Sequence, residues 1–180
     1  TRMKQMDAVQ RHIRLSMELV MCMVCAMAFG LAAVAVNFAP LFYGDDFAYS
    51  GTLMMPLAFT LLSIGFANVI RTQWVLPQGC DTIFVHSVLT GAVINLIANF
   101  VLIPPFGAMG AAAATVLAEF SVPAVQFVYL RKELPYAQYL KTTGVYCLFG
   151  LVMAGAVVLL GHVLPLHGWG KLAVQVIGGA

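Results

Sequence analysis

Charged residues punctuate this 180-residue chain at long, regular intervals. Between Glu18 and Asp45 lie 26 uncharged residues, between Asp46 and Arg71 lie 24, and between Lys141 and Lys171 lie 29. An α-helix rises 1.5 Å per residue, so about 20 apolar residues cross the ~30 Å hydrocarbon core of a bilayer, and each interval is a spanning length. Residues 82–118 carry no charge over 37 positions, too long for one crossing. Pro104-Pro105-Phe106-Gly107 divides that stretch, because adjacent prolines and a glycine interrupt helices, and a helical hairpin is predicted there. The pattern predicts five transmembrane helices within residues 16–164, at about 16–39, 52–74, 82–103, 107–130 and 140–164, joined by short loops. A further helix starts at 171, but residues 171–180 are too few to cross. With Thr1 rather than Met at its start, the chain reads as an internal stretch of a longer transporter-sized protein whose last helix is cut short.

Composition fits that pattern: 62% of residues are hydrophobic and 9% charged, and the mean hydropathy is +0.94. Those values exclude an ordinary water-soluble domain and leave an all-α, polytopic transmembrane helix bundle. Charge then orients it. Residues 1–15, 71–81 and 131–141 hold eight of the nine basic residues, and the positive-inside rule makes these segments cytoplasmic. The first of them mixes Arg2, Lys4, Arg11 and Arg14 with Met3, Met6, Val9, Ile13 and Leu15, so it lacks the uninterrupted apolar core of a signal peptide. It is predicted to be a cytoplasmic amphipathic linker lying at the interface. Tyr43, Tyr49, Trp74, Tyr129, Tyr136, Tyr139 and Trp169 fall near the predicted helix ends, as membrane aromatic belts do.

Candidate chemistry is concentrated in the hairpin. Gly91, Asn95 and Asn99 recur every four residues and share one helix face, as do Gly107, Ala111, Thr115 and Glu119. Small residues at that spacing predict close approach of the two helices, with amides bonding across the gap. Glu119 lies 12 residues past Gly107, roughly 18 Å into the bilayer and near its midplane. A carboxylate at that depth is costly unless neutral, paired or hydrated, which makes Glu119 a candidate for an ion or proton pathway. The structural alternative is a protonated side chain satisfied by Asn95, Thr90 or His86. Arg71, beside Gln73 and Trp74, is a candidate for an anionic head group, or else a snorkelling interfacial cation. Pro56 and Pro123 lie inside predicted helices and predict kinks. Cys22 and Cys25 form a C-x-x-C without a second pair, and His86, His162 and His167 have no ligand-like spacing. No metal, cofactor, nucleic-acid partner or enzymatic site is predicted.

The run Gly91-Ala-Val-Ile-Asn95-Leu-Ile-Ala-Asn99-Phe-Val-Leu-Ile103-Pro-Pro-Phe-Gly107-Ala-Met-Gly110-Ala-Ala-Ala-Ala-Thr115-Val-Leu-Ala-Glu119 resembles the polysaccharide and oligosaccharide-lipid flippases, of the superfamily that also contains the multidrug and toxin extruders. Pro40-Leu-Phe-Tyr-Gly44 and residues 73–79 add to the likeness, which covers roughly residues 10–135. The resemblance implies a bacterial cytoplasmic (inner) membrane protein with a MATE-like transporter fold, two helical lobes around a central cavity, of which this chain forms part of the C-terminal lobe. Its implied substrate is a polyprenyl-pyrophosphate-linked oligosaccharide repeat unit, and its implied partners are the bilayer and the N-terminal lobe of the same protein. The substrate or coupling-ion pathway would then involve Glu119, Asn95, Asn99, Arg71 and Gln73. Family members often carry basic residues in the loop after the second helix, where this chain reads Gln78-Gly79-Cys80-Asp81, so a charge clamp on a diphosphate falls to Arg71 or to the other lobe. A proton- or sodium-coupled drug or cation antiporter is the alternative within the superfamily. A membrane-embedded transferase is a third reading, disfavoured by loops of at most about a dozen residues.

Overall fold

The computed structural model describes residues 2–163, with side chains from Ala8 to Leu160, so the helix expected from residue 171 lies outside the described residues. Helix α1, Arg2–Tyr43, is a single element of 42 residues. Its buried positions, Ile13, Met17, Met21, Cys25 and Ala28, advance by four or three residues and form one stripe. That stripe runs through residue 15 without interruption, so the basic N-terminal segment is continuous with the first span rather than a separate interfacial linker. The helix stops at Gly44, whose φ of 97° is inaccessible to most side chains and whose N–H donates to the Pro40 carbonyl at 2.9 Å.

The second span, Asp45–Val75, is not one regular helix. A short turn, Asp45–Phe47, leads into α2, Ala48–Ala58, and then α3, Thr60–Ile70. Pro56 lacks the N–H that would continue the ladder, and three residues later the Phe59 N–H bonds back to the Pro56 carbonyl at 3.2 Å in a tightened turn. The Thr60 hydroxyl takes up the Leu57 carbonyl at 2.6 Å. Beyond α3 the backbone widens over Arg71–Val75, with the Leu76 N–H donating to the Arg71 carbonyl, five residues back, at 2.9 Å.

Helix α4, Asp81–Leu130, has 50 residues, about 75 Å if straight. It is instead folded into two limbs at Gly107, where φ 57° and ψ −130° lie outside the helical region and require glycine. Three contacts tie the limbs together side by side. His86 Nδ1 lies 3.0 Å from the Tyr129 hydroxyl, Gly91 faces Val122 and the Ala118 carbonyl, and Gly110 sits against the Leu102 carbonyl so closely that a Cβ has no room. Pro123 leaves the second limb helical, because Gly107 is the position at which the dihedrals depart. Helix α5, Tyr136–Val163, completes the described chain and begins four residues earlier than its apolar pattern predicts.

The helices pack in the order α5, α1, α2–α3, α4. Helix α5 runs parallel to α1, with Gly150 against Phe29 and the Cys25 sulfur 3.7 Å from that of Cys147. Helices α2 and α3 run antiparallel to α1, where a Cβ on Gly51 would stand 2.7 Å from the Ala35 carbonyl oxygen. The main core lies toward one end, built from Ile13, Met17, Ile70, Trp74, Leu134 and Tyr139 among others, and Trp74 donates to Glu133 at 3.2 Å. Arg11, Arg14, Arg71, Arg131, Lys132 and Lys141 all belong to segments at that end, while Asp45, Asp46 and the Gly107 turn lie at the other. The outward faces are apolar: Leu19, Met23, Phe100, Val101, Phe149 and Val152 are all more than half exposed. Water would penalise such surfaces, and hydrocarbon would not.

Candidate functional site

A groove of about 620 Å³ with mixed polar and apolar walls opens between α3 and the α4 hairpin. Asn68, Arg71, Asn95, Thr115, Glu119 and Gln126 supply its polar lining. Each has a local reason to be there. Asn68 and Arg71 are three apart near the end of α3, and Glu119 and Gln126 are seven apart on the second limb of α4, so each pair shares a helix face. Asn95 comes from the first limb, which the reversal at Gly107 lays beside the second.

Pro123 has a further effect on Glu119. In a regular helix the N–H at position 123 would bond to the carbonyl of residue 119, and proline has none. The buried Ser63 hydroxyl of α3 donates to that freed Glu119 carbonyl instead. A serine from a neighbouring helix thus replaces the missing ladder bond and pins the two helices at the level of the carboxylate. The Glu119 carboxylate is half-buried and makes no hydrogen bond or ion pair among the described residues. Its three expected partners are engaged elsewhere: His86 with Tyr129, the Thr90 hydroxyl with the His86 carbonyl, and Asn95 with Asn99 at 2.9 Å.

At the charged end of the groove, seven residues and about 10 Å of helix rise from Glu119, lie Arg71 and Gln126. The Arg71 guanidinium carbon stands 4.8 Å from the centre of the Phe84 ring, a cation–π contact that holds the group without neutralising it. Among the described residues its Nε is buried without a hydrogen-bond partner, and so is the Oε1 of Gln126, a residue only 1% exposed. Two residues that line the cavity thus each carry an enclosed polar atom without a partner among the described residues, in a setting where each unmade bond is costly.

Among the residues predicted from the sequence, Glu119, Asn95 and Arg71 come together here. Asn99 lines a separate hollow near Pro104 and reaches the groove through its bond to Asn95. That bond runs along one limb, so the two amides do not bridge the hairpin as their spacing predicts. Gln73 is exposed and outside the groove, because two residues along a helix turn a side chain to the opposite face from Arg71. Asn68 and Gln126 were not among the predicted residues. Gln126 does lie seven residues beyond Glu119, a spacing that could have singled it out. Cys25 and Cys147 are free thiols brought together across 122 positions, and no group of metal-ligating side chains is present among the described residues.

Fold and groove define a class: an all-α chain with four helical stretches, among the described residues, long and apolar enough to cross a membrane, namely Ala8–Tyr43, Asp45–Val75, Asp81–Leu130 and Tyr136–Leu160. Beyond that class, no family model matches the chain, and no curated protein or solved structure matches it significantly.

Proposed function

We propose that this chain is part of a polytopic transporter, a flippase that carries polyprenyl-pyrophosphate-linked oligosaccharide units across a bacterial inner membrane for surface polysaccharide assembly. On this reading it supplies part of the C-terminal lobe of a MATE-like fold, and residues 1–15, 71–81 and 131–141 face the cytoplasm. The observation that carries the proposal is the groove itself. Inside a bundle whose outward faces are apolar, it offers the Arg71 guanidinium, unpaired among the described residues, and the amide side chains of Asn68 and Asn95, groups that suit a phosphorylated, hydroxyl-rich ligand. The prenyl chain of such a substrate would stay in lipid while its polar end entered the groove.

The unpartnered Glu119 carboxylate favours a second reading, an antiporter of the same superfamily in which this acid binds a proton or sodium ion. One experiment separates them. The full-length protein, its Arg71→Gln variant and its Glu119→Gln variant are expressed in cells lacking their own flippase, and surface polysaccharide and inner-leaflet lipid-linked intermediate are measured alongside membrane insertion. Rescue by the wild type, with loss of rescue in an inserted Arg71→Gln protein, supports the flippase. Failure of the wild type across several sugar backgrounds, together with Glu119-dependent cation efflux, replaces it with the antiporter.

A further inference from the structure

The C-x-x-C of Cys22 and Cys25 cannot act by itself, and the helix explains why. Positions three apart on a helix hold their Cβ atoms roughly 5–6 Å apart, whereas a disulfide needs about 3.5–4.5 Å. Within α1 these two thiols cannot close on each other without unwinding the turn between them. Cys22 is exposed, while Cys25 is buried against α5. There the parallel packing of the two helices makes a different pair. Gly150 receives the Phe29 ring where any Cβ would collide with it, and Met153 reaches Gly30, so the backbones run close. One turn earlier on each helix, that approach leaves the Cys25 sulfur 3.7 Å from the Cys147 sulfur. Both lie near the middle of their spans, Ala8–Tyr43 and Tyr136–Leu160, at a depth that ions do not enter. Cys147 is only partly buried and lines an apolar cleft of about 400 Å³ between α3, the second limb of α4 and α5, an approach suited to small uncharged molecules.

We propose that Cys25 and Cys147 form a redox modification site, at which hydrogen peroxide, a neutral two-electron oxidant, closes an interhelical disulfide that staples α5 to α1. Cys147 reacts first. Its sulfur attacks one peroxide oxygen, the O–O bond breaks, and Cys147 sulfenic acid and one water result. The Cys25 sulfur then attacks the Cys147 sulfur, the S–O bond breaks, and the oxygen leaves with the Cys25 proton as a second water. Two thiols are oxidised to one disulfide, one peroxide is reduced to two waters, and a dithiol reductant reverses the change. The remaining approach of the sulfurs, from 3.7 Å to the ~2.05 Å of a disulfide, is within reach of side-chain rotation. The bond would join residues 122 positions apart and so restrain nearly the whole described bundle. Neither cysteine lines the groove that holds Arg71 and Glu119, so the site does not depend on what that groove carries.

The test uses the full-length protein in nanodiscs, treated with hydrogen peroxide or with tetrathionate, a charged oxidant excluded from hydrocarbon, then blocked, digested with trypsin and mapped by mass without reduction. Cys25 and Cys147 fall on the tryptic peptides 15–71 and 142–171. Peroxide is expected to join these two peptides in the wild type and in Cys22→Ser, and not in Cys25→Ala or Cys147→Ala. Tetrathionate is expected to leave them separate, and dithiothreitol to part them again. The joined protein should melt about 5 °C or more above its reduced form, a comparison that needs no variant. Absence of joined peptides in the wild type overturns the proposal, as does joining that persists in Cys25→Ala, which would place the bond at Cys22. Equal joining in protein first unfolded in detergent overturns it too, because helix packing would then not select the pair. Joined peptides with an unchanged melting midpoint overturn the staple.

Discussion

The seam between α1 and α3 and the groove between α3 and the α4 hairpin share one helix and are built on opposite principles. In the seam, Met17, Met21 and Ile70 are fully buried and apolar, and in its continuation along α2 Gly51 brings two backbones into contact. Beside the groove, Arg71 and Gln126 retain buried polar atoms that no described residue satisfies. Helix α3 therefore has a face committed to stability and a face that leaves hydrogen-bonding capacity unused. Natural structures keep such unmet capacity where a ligand or a moving part draws on it.

Substitutions on the two faces should separate these roles. The largest loss of stability is expected from Ile70→Ala, which opens a cavity in the seam and should cost about 3 kcal/mol in denaturation of the full-length protein in detergent. Gly51→Val should cost about 2 kcal/mol, since its side chain would enter the space of the Ala35 carbonyl and the Val36 Cα. Ser63→Ala should cost about 1 kcal/mol by leaving the Glu119 carbonyl unpaired, and on the proposed function should lower transport by letting the carboxylate shift. Gln126→Leu should change stability by about zero, because a buried amide unpartnered among the described residues is replaced by an apolar group of similar size, yet on the proposed function it should abolish transport. A Gln126→Leu protein that unfolds as readily as Ile70→Ala would erase the contrast, because the groove would then be core.

The hairpin was legible in the sequence because a 37-residue uncharged run interrupted by Pro104-Pro105-Phe106-Gly107 leaves few alternatives, and φ 57° at Gly107 shows the device that makes the turn. Glu119 was legible as a charge at unusual depth, and Arg71 as a cation at the membrane interface. The continuation of α1 back to Arg2 was hidden by its charges, which suggest an interfacial segment until Ile13 is seen to join the buried stripe of Met17 and Met21. The break at Phe59 was hidden for another reason. Proline gives notice of a missing bond but not of where the chain resolves it, and here the adjustment falls three residues on. Gln126 gained its meaning from a partner that no described residue supplies, and periodicity cannot report whether a side chain finds one.

The reversal at Gly107 also bears on how the chain is made. With Gly110 packed on the Leu102 carbonyl, the two limbs are joined without an extramembrane loop. Neither limb can settle in lipid first without exposing part of a polar stripe, Asn95 and Asn99 on one, Thr115 and Glu119 on the other. The biosynthetic unit is therefore the pair: the ribosome must deliver some 50 residues before the membrane receives an insertable object.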